Sequence, residues 1–184
     1  MNLENLKSEL LVDKEITLSI RDLDQARATF ELINSNRDYL REFLPWVDET
    51  RMIKDVEEYI TYCKESFTKQ KNCSYGIFYS GEFIGMVSFV SFSESNHSCE
   101  IGYWLGKEFQ GNGIITRAVK ALVDHAFNDI KLHRIIIRAA VENKPSWSIP
   151  ERLEFTYEGI NHEAELVNGN FYDLKVYGLL NKYL

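Results

Sequence analysis

Three strand-like runs follow one another with very little chain between them, and that order limits the folds open to the protein. Residues 74–79 (SYGIFY), 82–92 (EFIGMVSFVSF) and 98–105 (SCEIGYWL) are rich in β-branched and aromatic residues. Ser80-Gly81 is a hairpin turn signal between the first two, and Glu94-Ser95-Asn96-His97 is the second connection. Connections this short suit antiparallel neighbours, because parallel strands need a long crossover. The middle of the chain is therefore predicted to be an antiparallel meander. A doubly wound nucleotide fold would alternate strand and helix more strictly.

The flanks supply the rest. In 15–22, Ile16, Leu18 and Ile20 alternate with Thr17, Ser19 and Arg21, which predicts a half-buried strand with Arg21 on its polar side. Asp22 or Asp24 caps a helix to about Asn34, with Ala26, Phe30 and Ile33 on one face. A turn, a short helix ending before Pro45 and an aromatic loop follow. Residues 55–70 form a helix with Val56, Tyr59, Ile60, Cys63 and Phe67 along one stripe. After the meander, a helix begins at Gly111 or Asn112 and runs to about Ile130. The apolar centre of 133–141 (HRIIIRAAV) predicts a strand buried on both faces. A short helix spans 146–153, and 155–166 with 171–180 form a long hairpin about Asn168-Gly169. With no repeat or linker, residues 1–184 read as one mixed α/β domain.

Composition closes several options. A formal net charge of −7 argues against nonspecific nucleic-acid binding and suits a basic acceptor. No apolar run reaches membrane-spanning length and no secretory signal is visible, so the expected location is cytoplasmic. Cys63, Cys73 and Cys99 fit no metal knuckle or redox pair and read as reduced thiols. The four histidines show no metal-ligand spacing, so no metal is expected.

The turn Gln110-Gly111-Asn112-Gly113-Ile114-Ile115-Thr116 sets two glycines where a helix begins. It lacks the lysine of a P-loop and the third glycine of a dinucleotide fingerprint. It fits the first two fixed positions of the pattern Gln/Arg-x-x-Gly-x-Gly/Ala. Free N–H groups and the positive end of a helix dipole bind a pyrophosphate, and glycines let it approach. Taken alone, a ligand-free β–α turn reads equally well.

Together, CEIGYWLGKEFQGNGIITRAVKALVDHAF, RIIIRAAVENKPSWSIPERLEF and YEG…ELVNGNFYDLKVYGLL resemble the GNAT superfamily of acetyl-CoA-dependent N-acetyltransferases, nearest its RimJ/RimL-type branch. The resemblance covers nearly the whole chain. It implies a GNAT fold: a central twisted, mostly antiparallel mixed sheet flanked by helices, with splayed fourth and fifth strands at 98–105 and 133–141. It implies acetyl-CoA as co-substrate, with the pantetheine arm along the backbone of Ile101, Tyr103 and Leu105. The pyrophosphate would lie on Gln110, Gly111, Asn112, Gly113, Ile114, Ile115 and Thr116. Asn143 and Ser146 would reach the thioester region. The implied acceptor is a protein N-terminal amine, as in ribosomal proteins. A small-molecule amine, or acetyl-CoA binding without catalysis, are the alternatives. A homodimer is compatible, since such enzymes often associate.

The implied reaction is direct attack of a neutral amine on the thioester, which needs a proton acceptor and a donor for the departing sulfur. Ser146 is the candidate donor; its other reading is a helix N-cap. Glu165 and Glu100 are the candidate bases, with Glu163 behind them, and each also reads as a solvated strand carboxylate. Tyr103, Trp46 and Trp147 read first as packing, and residues 36–50 as the acceptor-side wall. Three positions depart from the family pattern. Ile115 stands where Gly or Ala is commoner. Pro145 and Trp147 flank Ser146 in place of basic residues. Glu154 stands where a glycine is usual, which strains the turn if it needs positive φ.

Overall fold

A computed structural model describes residues 1–182. Its strands are β1 (Glu9–Leu11), β2 (Ile16–Ile20), β3 (Cys73–Tyr79), β4 (Glu82–Ser93), β5 (Ser98–Leu105), β6 (Arg134–Ala140), β7 (Thr156–Val167) and β8 (Asn170–Leu180). Its α-helices are α1 (Ala26–Ser35), α2 (Arg37–Leu40), α3 (Ile53–Thr68), α4 (Ile114–Asn128) and α5 (Lys144–Arg152). The strands form one sheet in the order β1-β2-β3-β4-β5-β6-β8-β7. β5 and β6 run parallel, joined through α4, while β3, β4 and β5 form the antiparallel meander. The long hairpin pairs β7 with β8, and β8 pairs with β6. This is the α/β GNAT architecture the resemblance implied.

The two faces of the sheet are covered differently. Apolar positions of α4 (Ile114, Ala118, Leu122) bury against Leu18, Tyr75, Phe89 and Ile101 in the larger core. A smaller cluster joins α1 and α3 through Ile33, Val56 and Ile60, with Trp104 packed against it. Alternation along β5 thus sends Ile101 to one layer and Trp104 to the other.

Several expectations shift. β1 was not foreseen, because three residues are too few to show an alternation; it pairs antiparallel with β2 at the sheet edge. The splayed fourth and fifth strands are therefore β5 and β6. Arg21, placed on the polar side of its strand, is 2% exposed. β6 is not buried on both faces. Ile135, Ile137 and Ala139 are buried, but Arg134 and Arg138 take the other face and pair with Glu158 and Glu100. α3 starts two residues early, because Asp55 accepts the N–H groups of Arg51 (2.7 Å) and Met52 (2.9 Å) from within the first turn.

Glu154 does adopt positive φ (61°), immediately after α5, as its unusual place in the pattern foreshadowed. A side chain there works against the left-handed conformation. Glu154→Gly is expected to raise stability by about 1 kcal/mol, read as a higher urea midpoint with an unchanged slope. A lower midpoint would show that the Glu154 side chain stabilises the turn.

Candidate functional site

β5 and β6 pair only through Ser98, Cys99 and Glu100, which face Arg134, Ile135 and Ile136. Past Glu100 the edge of β5 that faced β6 has no strand partner among the described residues. Its backbone groups are available in the way a missing strand would use them. A cleft of about 690 Å³ opens here, lined by Tyr103, Leu105, the glycine turn, Asn143 and Ser146.

The turn is shaped for an anion. Gly111 (φ 79°) and Gly113 (φ 69°) both lie in the left-handed region. A Cβ built on either would meet nothing within 4 Å, so conformation rather than crowding calls for glycine. Asn112 folds back to donate to the carbonyls of Phe109 (3.3 Å) and Gln110 (3.2 Å). α4 starts at Ile114, later than expected, and no side chain caps it. Arg117 N–H bonds the Gly113 carbonyl at 3.0 Å. The N–H groups of Ile114, Ile115 and Thr116 precede that first helical bond and stay free for a ligand. With the dipole of a 15-residue helix behind them, these residues fit a pyrophosphate. Ile115 causes no strain: it is helical and buried in the core.

The far wall holds Asn143 and Ser146, and the helix cap is not where residue type suggested. Asn143 is the N-cap, its Oδ1 accepting the Ser146 N–H at 3.2 Å. Ser146 sits inside the first turn of α5. Its carbonyl accepts the Tyr103 hydroxyl at 2.9 Å, so Tyr103 ties β5 to α5 across the gap. Burial pushes the Tyr103 phenol well above its usual range, so it stays a neutral donor. The unusual neighbours fit this geometry. Pro145 occupies the first turn, where no N–H is needed. Trp147 Nε1 donates to the Val141 carbonyl at 2.9 Å, with the Lys175 ammonium 3.5 Å from its ring centroid.

The segment 36–50 walls the cleft through Tyr39, Leu40, Phe43 and Leu44. Arg37 shapes it by donating to the carbonyls of Val47 (2.5 Å) and Thr50 (2.6 Å). Tyr39 bonds Gln110 of the glycine turn, and Asn168 at the hairpin tip donates to the Arg41 carbonyl at 2.7 Å.

The two carboxylates differ sharply. Glu100 is gripped by Arg138 in a bidentate pair at 3.0 and 2.8 Å. Glu165 makes no such pair among the described residues. Burial pushes its carboxyl up, Arg138 pulls it down, and Glu100 pushes it up again. A bulge aims it. Asn161 faces Leu174 and Glu165 faces Tyr172, so residues 162–164 loop out opposite Asp173. Asp173 holds that loop through His162 Nδ1 (2.9 Å) and the Glu163 N–H (2.8 Å). Glu163 is exposed at the crest. Ile101, Glu100 and Glu165 line neither this cleft nor the one described next.

A second cavity, of about 550 Å³, lies against the other face of β5 and meets the first at Leu44, Tyr103 and Trp104. Trp46 and Gly102 line it, so Trp46 does more than pack, whereas Trp147 lines neither space. Arg21 also lines this cavity, and its only mark in the sequence is a charge at the end of an alternating strand. Among the described residues no group of three or more His, Cys, Asp or Glu could hold a metal ion, and no helix is long and apolar enough to cross a membrane.

A family model for the acetyltransferase (GNAT) domain matches residues 17–156. The ribosomal-protein-serine acetyltransferase of Escherichia coli (strain K12) is 31% identical over 160 residues, 84% of this chain and 86% of its own. The solved structure of RimL, a ribosomal L7/L12 alpha-N-protein acetyltransferase in complex with coenzyme A, superposes with a TM-score of 0.90 at 27% identity, covering 94% of this chain and 97% of that one. That of the microcin C7 self-immunity acetyltransferase MccE, in complex with acetyl-CoA and AMP, gives 0.91 at 32% identity, covering 97% and 99%.

Proposed function

The chain belongs to the GNAT acetyltransferase family and is an acetyl-CoA-dependent N-acetyltransferase of the RimJ/RimL type, and from that premise we propose that its acceptor is the N-terminal amine of a ribosomal protein. The observation that carries the proposal is the pairing of a cleft fitted to the CoA arm with a separate cavity that meets it beneath β5. The glycine turn from Gln110 to Thr116 holds the pyrophosphate, and the open edge at Ile101, Tyr103 and Leu105 bonds the pantetheine amides. Asn143 contributes its amide N–H to the thioester region.

Glu165 receives the amine proton, through water where the two do not touch, and the raised carboxyl is suited to that task. Ser146 donates a hydrogen bond to the departing sulfur, which leaves as a thiolate and takes its proton from solvent. Glu100 is not the base in this reading, because Arg138 occupies both its oxygens. The single-domain reading over 1–184, whose last two residues lie outside those described, belongs to the same proposal. So do a cytoplasmic location and a homodimer, the latter served by exposed Leu166 and Phe171 on the hairpin.

The test is intact-mass analysis of ribosomal proteins from a strain lacking this protein. Loss of 42 Da (about one acetyl group) from one of them is the expected result, restored by the wild-type gene; unchanged masses would remove the ribosomal acceptor. A second reading, a small-molecule amine acceptor, is favoured by the likeness to MccE and would survive that outcome.

A further inference from the structure

Arg21 lies under the sheet where a cation should not rest alone. It is 2% exposed, and its Nη2 has no hydrogen-bond partner among the described residues. Its Nη1 donates to Thr29 Oγ1 at 3.2 Å, and the guanidinium stands 5.5 Å from the ring centroids of Tyr59 and Phe83. The buried Cys63 side chain also stands against the guanidinium, and no carboxylate among the described residues does. Two acids line the same cavity, but Asp55 is committed to the backbone of Arg51 and Met52, and Glu49 is exposed. Arg21 forms an ion pair with neither.

The fold makes room for this arrangement. A Cβ on Gly76 of β3 would fall 2.9 Å from Arg21 Cγ, so the sheet gives up a side chain to admit the arginine stem. A second unmet group lines the cavity: Asn72 Oδ1 is buried without a donor, while its Nδ2 donates to the Tyr62 hydroxyl at 3.1 Å. The cavity lining thus holds one donor, Arg21 Nη2, and one acceptor, Asn72 Oδ1, that no group among the described residues meets. Leaving a buried charge uncompensated is costly, and a bound anion removes the cost.

We propose that Arg21 forms a carboxylate-recognition subsite in the second cavity, with Asn72 Oδ1 accepting an N–H of the same ligand, so that the acceptor is an amine that also carries a carboxylate close to the reacting nitrogen. The inference rests on that cavity receiving the acceptor, as in the reading above, and it narrows that acceptor. The carboxylate has two possible sources: an acidic side chain in the first residues of a protein, or the α-carboxylate of a free amino acid.

The test uses the CoA-loaded protein and amidated hexapeptides beginning Ser-Asp or Ser-Asn. Binding is followed by the fluorescence of Trp46 and Trp104, which line the cavity, and turnover with acetyl-CoA is measured beside it. The Asp peptide is expected to bind and react better by about 10- to 100-fold, the range for a charge-assisted pair. Arg21→Met keeps the apolar stem and removes the charge. It should abolish that preference while holding or raising the melting temperature, since an unpaired buried charge is lost. Arg21→Lys, a smaller change, should keep a reduced preference. Free amino acids against their amides form the second arm.

Equal handling of acidic and neutral partners in both arms would overturn the proposal. So would a preference that survives Arg21→Met, or a lowered melting temperature with preference unchanged, which would make Arg21 a structural cation. The two readings fail separately. Peptides acetylated without charge preference leave the N-terminal acceptor standing and remove the subsite. Free amino acids preferred over their amides, with peptides untouched, leave the subsite standing and remove the protein acceptor.

Discussion

Replacing Glu165 by Gln is expected to lower kcat/KM by about 10²- to 10³-fold, within the range for removal of a general base. The substitution keeps shape and hydrogen-bonding capacity while removing the ionisation, so the melting temperature should change little. The pH profile gives the sharper reading. A base must be ionised to act, so wild-type activity should rise with pH through the Glu165 pKa. Burial places that limb above the ordinary carboxylate value of 4.5. The limb should vanish in Glu165→Gln. Glu100 pushes the Glu165 pKa up and Arg138 pulls it down. Hence Glu100→Gln should move the limb to lower pH with kcat largely kept, and Arg138→Gln should move it higher. If Glu165→Gln retains wild-type kcat and the limb is lost in Glu100→Gln, the roles of the two carboxylates are reversed.

β5 was located to the residue, because alternation is local and its ends are marked by a turn and by Gly106. The hairpin turn was legible for the same reason, since the left-handed conformations at Asn168 (φ 51°) and Gly169 (φ 81°) are written in the residue types. Ser146 shows the limit. Two polar residues three apart each suit an N-cap, and only the path of the chain leaving β6 decides that Asn143 takes the role. Glu165 was nameable as a candidate, but its electrostatic surroundings include Arg138 and Glu100, which stand more than 25 residues earlier in the chain. Arg21 was misread because periodicity describes which side of a strand a residue takes, not what later covers that side. Here α3, some thirty residues on, brings Tyr59 over the guanidinium.

The cap at Asn143 also makes Ser146 a clean target. Ser146→Ala is expected to lower kcat by about 10²-fold, the effect of removing one positioned donor from a developing charge. A serine that caps its helix could not be tested this way, because losing the cap costs about 1 kcal/mol and would disturb the cleft. In this chain the capping bond runs from the Ser146 backbone N–H to Asn143 Oδ1, and the Tyr103 hydroxyl holds the Ser146 carbonyl. Both survive in the alanine variant, so helix position and the β5–α5 tie are kept. The acetyl-CoA dissociation constant should therefore stay within about twofold, since the leaving sulfur is neutral in the bound ground state and gains charge only as the bond breaks. Asn143→Ala is the contrast. It removes the cap, so affinity and stability should fall together with turnover. A Ser146→Ala enzyme with unchanged kcat would show that another donor stabilises the departing sulfur. One that loses acetyl-CoA affinity in step with kcat would show that the hydroxyl binds the ground state, not the departing thiolate.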